Sequence, residues 1–160
     1  MMIRNASIDD LERIAEVEKE CFPAAEAAPR EQFEERLACY SECFWLLFED
    51  DRLISFIDGF STDEKDLCDE MYADASMHQP DGAWQMIFGV NTIPSYRRKG
   101  YASALMRTVI EDSRQRGKKG LVLTCKEEKI HWYAGFGFVN EGVSSSGHGG
   151  ALWYQMRLTF

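Results

Sequence analysis

Apolar positions recur along this chain at two spacings, and they divide it into helices and strands. "MIRNAS" reads as a short first strand, and Ser7 can cap a helix whose inward face is Leu11, Ile14, Ala15 and Cys21, running to about Phe22. Pro23 and the run "AAEAA" break it. "PREQFEERLACY" restarts helical structure, with Pro29 near a first-turn position and Phe33, Leu37 and Tyr40 at helical spacing. This loop and helix are candidates to lie over a substrate. "CFWLLFED", the turn "DDR" and "LISFIDGF" predict two antiparallel strands with a tight connection.

The next segment, "STDEKDLCDEMYADASMHQPDG", is polar and acidic and reads as a surface excursion with one helical turn. "AWQMIFGVNTI" is a strand that Pro94 must end, because proline cannot donate to a ladder. From Ala102, residues Leu105, Met106, Val109 and Ile110 recur at helical spacing, and Gly117 stands where a C-terminal cap is wanted. "GLVLTC" is a buried strand, "KEEKIHWYAG" a short helix, "FVNEGVSS" a strand and "ALWYQMRL" a last one. Leu152, Tyr154, Met156 and Leu158 are expected to share a face of that final strand. The chain has the size of one domain, residues 1–160.

Charge narrows the partners. A formal net charge of −9 argues against nucleic acid, which is bound by neutralising phosphates with a basic face, and equally against a membrane surface. The opening "MMIRNASIDD" is polar where a signal peptide needs an apolar core, so a cytoplasmic protein is expected. Cys21, Cys39, Cys43, Cys68 and Cys125 form no C-x-x-C pair, which suggests neither a disulfide framework nor a metal site.

Against that acidic background, "IPSYRRKGYASALM" (Ile93 to Met106) concentrates three cations before a glycine. A strand, a sharp turn carrying Arg97-Arg98-Lys99-Gly100-Tyr101-Ala102 and an amphipathic helix make an anion site by geometry. The first helical N–H groups lack intrahelical acceptors, the helix dipole adds positive charge there, and a small residue lets backbone close on a phosphate. Taken alone, such a motif is as often a solvated helix start. There is no G-x-x-x-x-G-K-[ST] and no G-x-G-x-x-G nearby, which disfavours the ATP and dinucleotide loops.

The pattern Arg97-x-x-Gly100-x-Ala102, with "VNTIPSY" before it and "SALMRTVIEDS" after it, resembles the acetyl-CoA motif [QR]-x-x-G-x-[GA] of the GCN5-related N-acetyltransferases. Downstream, "LVLTC" and then Trp132-Tyr133-Ala134-Gly135-Phe136-Gly137-Phe138 are similar to a second feature of that family. "SMHQPDG" and "CFPAAEAAP" look like loops of its arylalkylamine (serotonin-type) branch. The resemblance implies an α+β domain with a central mixed, mainly antiparallel twisted sheet of six to seven strands, splayed at strand four and flanked by about four helices. It implies acetyl-CoA as cosubstrate with no metal. Val90, Asn91 and Thr92 of the fourth strand would hold the pantetheine, and Arg97, Arg98, Lys99, Gly100, Tyr101 and Ala102 the pyrophosphate, largely through backbone amides.

The reaction so implied is direct attack of an amine on a thioester. An alkylamine with a pKa of about 10 is charged at neutral pH, so a proton acceptor is needed; a leaving thiolate needs an acid or hydrogen-bond donor. Tyr133 is the candidate acid, against the alternative that it is a core aromatic with Trp132, Phe136 and Phe138. The Val90 N–H is the candidate oxyanion donor. Where the arylalkylamine branch has two histidines on strand four, this chain has Met86 and Phe88, which cannot accept a proton. His78, Glu70 or ordered water remain as base, although a loop histidine beside Gln79-Pro80 is often only a turn residue. His131 reads as an exposed helix residue, His148 as a mobile hairpin tip and Cys125 as inert packing. The acidic run Asp63, Glu64, Asp66, Asp69 and Glu70 is either a steering field for a cationic amine or plain solvated surface.

Three readings stay open: an N-acetyltransferase for a small primary amine, arylalkylamine or polyamine-like, working as monomer or homodimer; a protein or peptide N-terminal acetyltransferase; and a non-catalytic acyl-CoA sensor.

Overall fold

Seven strands and five α-helices form from the chain: β1 (Met2–Asn5), α1 (Leu11–Cys21), α2 (Arg30–Tyr40), β2 (Phe44–Glu49), β3 (Arg52–Thr62), α3 (Glu70–Ala73), β4 (Trp84–Thr92), α4 (Tyr101–Gln115), β5 (Gly120–Cys125), α5 (Ile130–Ala134), β6 (Val139–Val143) and β7 (Tyr154–Thr159). The computed structural model describes residues 1–160. The strands make one sheet in the order β1-β2-β3-β4-β5-β7-β6. β4 and β5 are parallel, whereas β1 with β2, β2 with β3, β5 with β7 and β6 with β7 are antiparallel. The fold is therefore α+β with a mixed sheet, as expected, and its five α-helices fall on the segments where helical structure was expected, α3 and α5 being short.

By packing the chain divides into two compact units, Met1–Gly59 with Gly89–Val109 and Phe60–Phe88 with Ile110–Phe160. In the first, the run Phe44 to Phe48 is buried throughout, so β2 is covered on both faces rather than one. β2 and β3 are joined at Asp50 (φ 48°) and Asp51 (φ 64°), a two-residue turn of the kind whose twist matches a hairpin. α2 lays Phe33 edge-on to Phe44 (6.3 Å between ring centroids) and Phe56 (5.9 Å). The helix expected from Ser7 opens as a 3₁₀ turn, Ile8–Asp10, and becomes α-helical at Leu11. The Asp10 carboxylate shapes that start: it accepts from Ser7 N–H at 2.9 Å and from Arg4 at 2.8 Å, and Arg4 holds its pKa below the ordinary range.

In the second unit the β4–β5 ladder runs from Trp84 opposite Gly120 to Ile87 opposite Leu123 and stops there, while β4 continues to Thr92. Gly120 is required where β5 meets β7, since a Cβ on it would lie 1.9 Å from the Leu158 carbonyl oxygen. Buried Arg157 ties the acidic excursion down, reaching Asp66 at 3.0 Å and Glu141 at 2.9 Å over the Trp84 ring. Asp69 accepts from Ser146 Oγ (2.6 Å) and Gly147 N–H (3.1 Å), and Asp63 from Ala83 N–H (2.9 Å). Much of the acidic run thus has structural work. Leu152 does not join the last strand: it is 58% exposed, because the chain makes a 3₁₀ turn at His148–Gly150 that the Trp153 indole closes by donating to the His148 carbonyl at 2.7 Å. Tyr154, Met156 and Leu158 keep the alternation without it.

Candidate acyl-CoA site and its reactive side chains

After β4, Ile93 N–H still donates to the Ile54 carbonyl (2.9 Å), and Pro94 then turns the chain. Arg98 (φ 62°) and Gly100 (φ 87°) both adopt left-handed backbone, which costs little for glycine and more for arginine. α4 follows at Tyr101. From Arg98 to Ser103 no backbone N–H donates to a backbone carbonyl; the first that does is Ala104, to Gly100 at 3.1 Å. A Cβ built on Gly100 would meet nothing within 4 Å. A row of unanswered N–H groups at the start of a long helix, beside open space, suits a pyrophosphate.

The three cations differ. Arg97 Nε donates to the Thr92 carbonyl at 2.8 Å, and the same guanidinium reaches the Cys21 thiol. Arg98 and Lys99 are exposed, with Lys99 Nζ 5.7 Å from the Tyr96 ring centre. Tyr101 swings outward to Glu49 (3.2 Å), leaving small Ala102 in the first turn of α4. Asn91, expected near the cofactor, sends its side chain into the core instead. Its Nδ2 donates to Glu18 at 2.7 Å, and its carbonyl accepts from Ser55 Oγ at 2.6 Å.

Beneath β4 the first unit holds a buried polar group that no sequence motif announced. Asp58 on β3 pairs with Arg36 on α2 at 2.9 Å, both almost fully shielded. Glu18 on α1 links Asn91 to the loop after α1 by accepting from Ala28 N–H at 2.9 Å. Burial pushes the Asp58 carboxyl up to about 7, Glu18 adding to the rise and Arg36 opposing it. The signal was in the sequence, as charges on apolar faces: Glu18 beside Val17, Arg36 between Phe33 and Leu37, and Asp58 inside "LISFIDGF".

In the second unit, α5 carries Tyr133, buried between Trp132 (4.9 Å) and Phe138 (5.8 Å). No hydrogen bond within the protein holds its hydroxyl, and burial, with Cys125 and Tyr72 adding, raises its pKa. The Cys125 thiol is pushed up to about 11 by burial and then by Glu128, so it rests as a neutral thiol. Tyr72 is an unforeseen neighbour. Its hydroxyl lies 3.3 Å from Thr124 Oγ1, and its ring packs on Phe88 (4.9 Å) and stacks on His148 (5.2 Å, 11° between planes). His148 is therefore seated rather than a mobile tip.

His78 has its Nδ1 occupied by Ser61 N–H at 3.1 Å and packs on Phe60. Glu70 begins α3 in an exposed position, its carboxyl held low by its own backbone N–H and then by the Cys68 thiol, which weakens it as a base. His131 is exposed on α5. Met86 is fully buried, and Phe88 packs edge-on to Phe60 at 5.0 Å. So the structure gathers Val90 to Thr92 and Arg97 to Ala102 within the first unit, while Tyr133 and His78 belong to the second.

The model of the acetyltransferase (GNAT) family matches residues 11–138. The chain belongs to that family. No curated protein sequence matches it. Among solved structures it is similar to the GphF GNAT-like decarboxylase in complex with isobutyryl-CoA, at 19% identity over 99% of each chain and a TM-score of 0.86. It is also similar to the loading GNATL domain of CurA from Lyngbya majuscula, at 13% identity over 99% of this chain and 96% of that one, with a TM-score of 0.85. The ribosomal-protein-S18-alanine N-acetyltransferase from Escherichia coli follows at 17% identity over 99% and 92%, with a TM-score of 0.73. At such identities these likenesses establish the fold. Membership of the GNAT family makes this an acyltransferase-class protein with a CoA thioester as cosubstrate. The N–H row at Gly100 fits that group. No helix is long and apolar enough to cross a membrane.

Proposed function

We propose that the chain is a single catalytic domain that transfers an acetyl group from acetyl-CoA to a small primary amine. The observation that carries this reading is the run of unanswered N–H groups from Arg98 to Ser103 beside the open space at Gly100, in a chain of the GNAT family. Bound there, the thioester supplies an activated acyl group. The N–H groups and the helix start hold its pyrophosphate, and Val90 and Thr92 on β4 align its pantetheine. The Val90 N–H donates to the carbonyl oxygen as charge develops on it. Tyr133 stays protonated at neutral pH because burial raises its pKa, and its unshared hydroxyl donates to the departing sulfur. Five free cysteines accord with a reducing, cytoplasmic setting.

The test is release of free thiol from acetyl-CoA in the presence of 2-phenylethylamine, spermidine or a peptide with a free amino terminus. Turnover with the small amines supports the reading; turnover with the peptide alone replaces it by N-terminal acetylation. A second reading, decarboxylation of a carboxylated acyl-CoA, is favoured by the TM-score of 0.86 to the GphF GNAT-like decarboxylase. Carbon dioxide release without any amine would select it.

A further inference from the structure

Gly89 and Asn91 lie two apart on β4 and so share a face. Asn91 is wholly buried, and because its Nδ2 must serve the Glu18 carboxylate, its Oδ1 points the other way, where it has no hydrogen-bond partner. A Cβ on Gly89 would stand 3.0 Å from that oxygen and 3.4 Å from Asp58 Oδ1, and would touch nothing else within 4 Å. The missing side chain thus leaves a notch edged by two acceptor oxygens and no donor. A buried acceptor left without a donor is costly, so the notch calls for a ligand that donates. Charge says which donor: the second acceptor beside the notch is the carboxylate of Asp58, and Glu18 holds the far end of the Asn91 amide, so the acceptors favour a cationic donor.

We propose that this notch binds the ammonium of the acceptor amine, hydrogen-bonded to Asp58 Oδ1 and Asn91 Oδ1, and that Asp58 is the base that deprotonates it. This rests on the acyl-transfer reading above. Asp58 takes one proton from the ammonium. The freed nitrogen lone pair forms the C–N bond at the thioester carbonyl carbon, and the C–S bond breaks with its electron pair on sulfur. Sulfur gains a proton from solvent, matched by the second proton that nitrogen loses as the amide forms, and Asp58 returns its own to solvent. The groups facing Asp58 are Arg36 and Tyr40 from α2 and Glu18 from α1; β4 contributes Asn91 and no ionisable group. Under this balance Asp58 is ionised above about pH 7 and protonated below it. The loop after α1, pinned through Ala28 to Glu18, lies on the same network, which gives it a place beside the acceptor.

Carbon-13 NMR of the aspartate carboxyl signals, with ethylammonium as probe and tetramethylammonium as a control of equal charge without N–H donors, tests this on the whole chain. Ethylammonium should shift the Asp58 signal saturably and tetramethylammonium should not. Gly89→Ala, whose backbone conformation suits alanine, should weaken the ethylammonium response by about tenfold or more. Asp58→Asn should remove the limb near pH 7 from the rate profile with whichever amine the enzyme turns over. An unmoved Asp58 signal, an equal response to tetramethylammonium, or a full response in folded Gly89→Ala would overturn the proposal. CoA binding by calorimetry is scored separately: its absence in the unaltered protein speaks against the acyl-transfer reading and leaves the notch result standing.

Discussion

Arg97 Nε lies 2.8 Å from the carbonyl oxygen of Thr92, so the first of the three consecutive cations is spent on the end of the strand that precedes it. The turn is thereby closed by a side chain, and the anion is left to the backbone amides beyond. On the proposed function, a motif that reads as a basic patch would work chiefly as a shaped stretch of main chain.

Gly100→Val should accordingly weaken CoA binding more than Lys99→Ala. At a φ of 87° valine is strained, and it also obstructs the approach of a phosphate to the amides. A loss of about tenfold or more is expected for the glycine and about threefold or less for the exposed lysine, read by calorimetry with CoA. The opposite order would transfer the binding to the side chains.

Arg97→Ala should behave like the glycine variant, although Arg97 sits among exposed residues. Losing its bond to Thr92 and its contact with Cys21 frees the turn, and a charge-assisted hydrogen bond is worth about 1.5–3 kcal/mol. Arg97→Lys, which restores the charge without the fork, should recover little CoA affinity.

Tyr133→Phe removes only a hydroxyl that bonds to nothing in the protein, so folding and CoA affinity should stay close to the original. The maximal rate should fall by about a hundredfold, the lower range for a positioned acid. Since burial holds Tyr133 protonated, the alkaline limb of the rate profile should lie above pH 10, the ordinary tyrosine value. An unchanged rate would return Tyr133 to the aromatic core.

Asp58 should also shape stability. Its folded pKa of about 7 lies above the reference 3.8, so the native state holds the proton more tightly than the unfolded chain does. Its contribution is then fully present below about pH 4 and is lost as pH rises through 7. Chemical unfolding of Asp58→Asn should show a flatter pH dependence over that window than the original protein, and an equally steep one would place the titration elsewhere.

The fold was largely legible, because helical spacing from Leu11 to Cys21 and from Ala102 to Ile110, and the apolar run from Phe44 to Phe48, are local signals. The anion turn was legible for the same reason: strand, proline, left-handed glycine and helix are contiguous. Leu152 misled because the alternation reaches back past the start of the strand at Tyr154, into a segment that the neighbouring Trp153 indole ties to the turn at His148. The Glu18, Arg36, Asp58 and Asn91 group is brought together only by the packing of α1, α2, β3 and β4, so no spacing announces it. What the sequence does hold is the anomaly of a charge on an apolar face, which marks each member singly.

Free-thiol release from acetyl-CoA, measured with and without 2-phenylethylamine for the original protein and for Gly100→Val, tests the central claim most directly. Saturable, amine-dependent release that is strongly reduced by Gly100→Val is the expected result. Release that ignores the amine, or no turnover with any amine at CoA concentrations that saturate binding, would contradict it.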